Sequence, residues 1–194
     1  MLQEKLKNYN IILASGSPRR HQFFKELNIN FTIKIKKIIE RYPENLTGKE
    51  ITEYLSKLKA AAFSSISENE IVISSDTIVW KDHKAIEKPR DFEEAKKMLQ
   101  SLSNTNHQVI TSVCFTSKNF QKVITDTTQV WFKNLSDDEI NYYLTHYKPF
   151  DKAGSYGIQE WIGYIGIEKI EGSYFNVMGL PTHLVYKTLL EIAR

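Results

Sequence analysis

Two short segments and a few isolated charges in this 194-residue chain could do chemistry. The first segment, Ser15-Gly16-Ser17-Pro18-Arg19-Arg20, directly follows the apolar run Ile11-Ile12-Leu13-Ala14. Ser17 suits a helix N-cap, and Pro18 suits the first helical position, where a missing N–H costs nothing. A helix starting there turns unpaired N–H groups and the positive end of its dipole toward the loop. Gly16 lets a ligand approach the backbone, the Ser15 and Ser17 hydroxyls can donate, and Arg19 and Arg20 can fork onto phosphate oxygens. These are the parts of an anion cradle. The spacing is not the G-x-x-x-x-G-K-[ST] of a Walker loop, and a capped helix with two solvated arginines stays open as the plainer reading.

Asp76 is the second candidate. It interrupts an apolar, strand-like stretch, Ile73-Ser74-Ser75-Asp76-Thr77-Ile78-Val79. Burying an unpaired carboxylate costs several kcal/mol. Asp76 is therefore expected either in a turn at a strand end or bound to cations in a site. Lys59, late in a predicted helix, Lys88 ahead of Pro89, and Glu40 after Ile38-Ile39 are further candidate charges, although each alone reads as a surface charge. The second segment, Asp151 to Gln159, brackets small and aromatic residues between Gly154 and Gly157. That pattern suits close backbone approach, and the Gln159 amide can read a base edge; a glycine-rich bend between strands is the alternative. The five histidines show no metal-ligand pairing, no G-x-S-x-G elbow occurs, and Cys114 lies in an apolar strand as inert core.

The elements that position these residues follow from periodicity. Residues 11 to 28 read as strand, tight turn and helix, with Phe23, Phe24 and Leu27 inward and Asn28 as a left-handed stop. Phe31 to Ile35 alternates as a half-exposed strand, and Lys34, Lys36 and Lys37 fit a solvated sheet edge. Thr47 and Glu50 form a capping box before an amphipathic helix. Ile71-Val72-Ile73 begins a buried strand that resumes at Ile78. Asp91 and Glu94 start another helix. Val109–Phe115 and Val123–Phe132 are expected to pair as strands, Ser136 and Glu139 form another capping box, and residues 182 to 193 make a closing helix. The glycine- and aromatic-rich stretch 153–180 reads as turns and short strands. Strands alternating with helices predict an α/β domain around a central sheet.

Composition narrows the function classes. With 26 basic against 23 acidic residues the net charge is +3, too weak for the concentrated basic face of a duplex binder. No apolar stretch approaches a membrane span, and the polar N-terminus does not fit a signal peptide. A cytoplasmic protein of one domain, residues 1–194, is expected. One cysteine excludes an internal disulfide and a multi-cysteine zinc site.

Several of these stretches together resemble the Maf family of nucleoside triphosphate pyrophosphatases. They are Leu13 to Arg20, Leu55 to Ala60, Ser75-Asp76-Thr77, Glu87-Lys88-Pro89, Leu102-Ser103 with His107, Asp151 to Gln159, Gly172-Ser173-Tyr174 and Gly179-Leu180-Pro181, in the family's order. The resemblance implies an inosine-triphosphatase-like α/β fold: an elongated, curved mixed β-sheet flanked by helices, with a cleft between two lobes. It also implies hydrolysis of a nucleoside triphosphate between the α and β phosphates, with Mg²⁺ or Mn²⁺, in a homodimer. By position, Asp76 matches the catalytic carboxylate, which activates water or holds the metal, and Glu40 matches an acidic residue of the same site. Ser15 falls in the matched phosphate loop, and Ser17, Arg20, Lys59 and Lys88 match phosphate-facing positions. Arg19, Thr77 and Gln159 match the positions that separate substrate classes and are similar to the dTTP- and UTP-hydrolysing branch. A 7-methyl-GTP pyrophosphatase and a non-catalytic nucleotide-binding regulator of cell division are the rival expectations. The chain departs from the family at Asn28, Asn104 and Glu160, each of which replaces a glycine; a negative side chain beside Gln159 could alter nucleotide preference or repel phosphate.

Overall fold

The computed structural model describes residues 1–193. Along them run α1 (Leu2–Lys5), β1 (Asn10–Leu13), α2 (Pro18–Glu26), β2 (Phe31–Ile33), α3 (Lys49–Ala61), β3 (Glu70–Lys81), β4 (Lys84–Ile86) and α4 (Phe92–Leu102). There follow β5 (Asn106–Thr116), β6 (Gln121–Phe132), α5 (Asp137–Tyr147), a 3-10 turn (Ala153–Ser155), α6 (Trp161–Gly166), β7 (Ile167–Glu171), α7 (Tyr174–Val177) and α8 (Thr182–Ile192). The described strands form one seven-stranded sheet in the order β2-β1-β3-β5-β6-β7, with β4 paired to β3. β1 is parallel to both β2 and β3, whereas β3–β4 and β6–β7 are antiparallel, so the sheet is mixed.

The chain divides into two compact units. The first comprises Met1–Asp76, Thr111–Asp126 and the stretch from Gly179 on; the second comprises Thr77–Ile110 and Thr127–Met178. The boundary falls inside β3, β5 and β6, each of which contributes to both units.

In the first unit, β1 lies between two parallel neighbours, and its register sets Leu13 beside Ile33 and Ile73. Ile11, Ile12 and Leu13 are all buried, the continuous apolar run expected of a strand covered on both faces. α2 ends as expected at Asn28, with φ 51°, a conformation asparagine tolerates. Only half of the box before α3 forms. The Thr47 N–H and hydroxyl both donate to the Glu50 carboxylate, at 2.9 and 3.1 Å, while Gly48 takes the N-cap position. β2 stops at Ile33, two residues short of the alternating pattern, and Ile35 instead lies over Gly16.

The second unit packs α4 and α5 over an apolar cluster that includes Val79, Leu99, Val109, Phe132, Tyr143 and Ile162. Ser136 and Glu139 make the complete reciprocal box, and the Asp91 carboxylate accepts from the Glu94 N–H at 2.8 Å. Gly154, at φ +69°, lets the 3-10 turn approach β3 so closely that a Cβ there would sit 2.9 Å from Val79 Cγ2. Asn176 is fully buried, and its amide donates to Val109 O and Thr128 Oγ1, both at 3.0 Å. The stretch 153–180 is not only turns and strands, for α6 lies within it. Gly163 and Gly166 weaken the helical signal there, and the buried Ile162 makes up for it through packing.

Candidate active site

Asp76 lies neither in a turn nor at a strand end. β3 runs unbroken through it, and the side chain is buried. The second expectation, binding to cations, is the one that holds. Lys59, near the end of α3, extends its ammonium to Asp76 Oδ1 at 2.7 Å and to Glu40 Oε2 at 2.9 Å. The same ammonium donates to Ser75 O at 3.4 Å. Lys59 and Asp76 are largely shielded from solvent, whereas the Glu40 side chain is about half exposed at 52%. A helix, a strand and a loop separated by tens of residues thus converge on one ammonium. Without Lys59 the buried Asp76 charge would be strongly destabilising.

The Ser15-Gly16-Ser17 loop adjoins this cluster through Arg20. The Arg20 guanidinium donates to Gly179 O at 2.9 Å, Ser75 O at 3.2 Å and Ser15 Oγ at 3.4 Å. Arg20 and Lys59 therefore share the Ser75 carbonyl as an acceptor. Ser15 Oγ also accepts the Ser17 N–H at 3.2 Å, and the His21 ring bonds Ser15 O at 2.6 Å. Ser17 occupies the N-cap position of α2, but its side chain makes no capping bond. Burial pushes the Arg20 guanidinium down to about 10, against the pull of Asp76 and Glu40 and helped by the neighbouring charge of Arg19. It stays cationic at neutral pH. The Gly179 and Ser75 carbonyls and the His21 ring went unrecognised as parts of this arrangement. Gly179 sits in one of the matched segments, but a main-chain acceptor leaves no trace in residue identity.

The remaining sequence candidates belong to the second unit. Thr77 follows Asp76 in β3 and is half-buried. Lys88 is exposed beside the buried Pro89, and the preceding Glu87 carbonyl accepts the Gly154 N–H at 3.1 Å. Gln159 is partly buried, and its Oε1 is buried with no hydrogen-bond partner among the described residues. Glu160 is the N-cap residue of α6. Its carboxylate accepts from Lys152 at 3.0 Å and from the Tyr143 hydroxyl, so the charge that the sequence places beside Gln159 is already paired. His107 bonds Tyr156 OH at 2.7 Å; burial, with Lys81 nearby, lowers it to about 3, so it is neutral near pH 7.

Among the described residues no group of three or more His, Cys, Asp or Glu could hold a metal ion. The first unit instead offers two carboxylates, Asp76 and Glu40, meeting at one ammonium. That donor set fits a hard divalent cation of the Mg²⁺ kind, which takes one or two carboxylates and completes its shell with water and substrate phosphate. No described helix is long and apolar enough to cross a membrane.

The sequence pattern of a family described as Maf-like protein matches residues 10–192. A dTTP/UTP pyrophosphatase of Christiangramia forsetii is 60% identical over 193 residues, 99% of this chain and 98% of that protein. One of Bacteroides fragilis is 48% identical over 189 residues, 96% of this chain and 98% of that protein. Among solved structures, the Staphylococcus aureus Ham1 protein aligns with a TM-score of 0.53 at 16% identity, covering 94% of this chain and 99% of its own. A HAM1 protein from Coxiella burnetii aligns at 0.50 with 13% identity, over 94% and 99%. These two likenesses show the fold, the mixed α/β sheet that the family resemblance implied.

Proposed function

This chain belongs to the Maf family, and we propose that it is a dTTP/UTP pyrophosphatase, hydrolysing its substrate to the nucleoside monophosphate and pyrophosphate. The observation that carries the proposal is the Lys59 ammonium bound to both Asp76 and Glu40 and linked through the Ser75 carbonyl to the Arg20-braced serine loop. Likeness to dTTP/UTP pyrophosphatases over nearly the whole chain supports the substrate class.

Phosphoryl chemistry of this kind depends mainly on positioning and charge neutralisation. The Ser15–Ser17 loop and the start of α2 offer N–H groups and hydroxyls to phosphate oxygens, with Arg19 and Arg20 adding positive charge. Lys59 orients the Asp76 carboxylate, which can accept the proton of an attacking water. Asp76 and Glu40 would hold the divalent ion, which when bound neutralises phosphate charge and lowers the pKa of a bound water. In the second unit, Lys88 is assigned to phosphate, and Thr77 and Gln159, together with Arg19, to substrate selection. The Gln159 amide, with its unpartnered carbonyl oxygen, suits the donor–acceptor edge of thymine or uracil. A homodimer in the cytoplasm, where these nucleotides are made and consumed, completes the reading. Light scattering should then give twice the 22.6 kDa chain mass.

The test is pyrophosphate release from a nucleotide panel with Mg²⁺ or Mn²⁺. Turnover of dTTP and UTP is expected. Turnover of 7-methyl-GTP with dTTP and UTP left intact would overturn the substrate, and binding of dTTP with no product would point to a regulator.

A further inference from the structure

We infer that Glu160 is a positioning residue for nucleobase selection, clamped by Lys152 and Tyr143 so that the Gln159 amide is held in one orientation. This rests on the assignment of Gln159 to the base.

Uracil and thymine present an N3–H donor beside carbonyl acceptors. Cytosine presents the reverse pair, an N3 acceptor beside an amino donor. A glutamine amide that rotates freely satisfies either edge, oxygen forward for one and nitrogen forward for the other. Gln159 can favour uracil only if something fixes which end faces the base. Its Oε1 is buried and has no hydrogen-bond partner among the described residues, so the protein leaves that acceptor unsatisfied.

The surroundings supply the fixing. Lys152 and Glu160, with side chains only 10% and 19% exposed, pair at 3.0 Å. The Tyr143 hydroxyl donates to the Glu160 carboxylate and in turn accepts the Gly157 N–H at 3.0 Å. Tyr143 is fully buried on α5, within the apolar cluster of the second unit. The turn from Gly157 to Glu160 closes on itself, the Glu160 N–H donating to Gly157 O at 2.9 Å. Gln159 and Glu160 both lie over Gly157: a Cβ there would be 2.9 Å from Glu160 Cδ and 3.1 Å from Gln159 Nε2. The carboxylate therefore ties the turn that carries Gln159 to α5 and to Lys152. Its charge is taken up by these two partners.

The test compares kcat and KM for UTP and CTP in the wild type and in Glu160→Gln, Gln159→Ala and the double variant. Glu160→Gln keeps the side-chain shape and removes the charge that holds Lys152. It should raise KM for UTP about tenfold with kcat reduced less than threefold, and shrink the UTP-over-CTP preference by a similar factor. In the Gln159→Ala background the same change should add almost nothing, because the two residues act as one unit. Tyr143→Phe, which removes only the hydroxyl joining Glu160 to the Gly157 N–H, should give a smaller loss of preference and serves if Glu160→Gln does not fold. Unchanged KM and unchanged preference in both variants would overturn the positioning role. So would losses that add in full to that of Gln159→Ala. A wild type that cleaves neither nucleotide would overturn the pyrophosphatase reading itself and this inference with it.

Discussion

Lys59 in the first unit and Lys152 in the second each pair with two carboxylates, and the two clusters differ in what else they touch. Lys59 bonds Asp76 and the half-exposed Glu40 beside a loop of hydroxyls and backbone N–H groups. Lys152 bonds Asp151 and Glu160, and Glu160 is further tied to Tyr143, inside an apolar cluster. The first arrangement gathers charge where a polyanion and a divalent ion can join it. The second leaves its principal carboxylate paired on both sides and uses it to fix a turn. On the proposed reading, identical residue types serve chemistry in one place and orientation in the other, and the neighbours decide which.

Four measurements sharpen or break that contrast. The largest effect is expected from Asp76→Asn, which should lower kcat by about 2–4 orders of magnitude while the nucleotide still binds, as calorimetry can check. Lys59→Met should follow, lowering kcat/KM by about 100-fold in steady-state assays, the cost of losing one charge-stabilising donor. If Lys152→Met lowers kcat as far as Lys59→Met does, the distinction between the two clusters fails.

The third measurement is pH dependence. His107 sits at about 3 in the folded chain against an ordinary 6.5. The unfolded chain therefore binds the extra proton first as pH falls. The stability due to the neutral ring is intact above pH 6.5 and is lost progressively from there toward pH 3, with a slope of up to about 1.4 kcal/mol per pH unit. Replacing His107 with Gln should flatten that limb in denaturant melts taken across the window. The smallest effect is expected from Ser136→Ala, which breaks the complete box at the start of α5, the helix that carries Tyr143. A loss of about 1 kcal/mol in chemical denaturation is expected, with kcat unchanged.

Periodicity made most of the fold legible. β1, α2 and α3 lie within a few residues of where the apolar spacing puts them, and the Asn28 stop has the left-handed backbone its type suggested. Asp76 misled the strand assignment because an ionised side chain inside a strand reads locally as a break. Its long-range partner Lys59, 17 residues earlier, pairs with the carboxylate inside the unbroken strand. The turn from Ser15 into α2 was legible from Ser17 and Pro18, although the Ser17 side chain makes no capping bond, and the resemblance joined Lys59 and Glu40 to Asp76. What no local pattern could announce were the contacts made by backbone or between distant segments: the Ser75 and Gly179 carbonyls that hold Arg20, and the Tyr143 hydroxyl on Glu160. Glu160 was visible as a departure from the family. Its charge, which could alter nucleotide preference or repel phosphate, is paired with Lys152.

On the proposed reading, the cluster around Lys59 and the serine loop receives the triphosphate. A crystal structure of the Asp76→Asn variant with dTTP tests it most directly. Phosphate oxygens within hydrogen-bond reach of the Ser15–Ser17 loop and of Lys59 are the predicted result. A triphosphate bound away from both would contradict it.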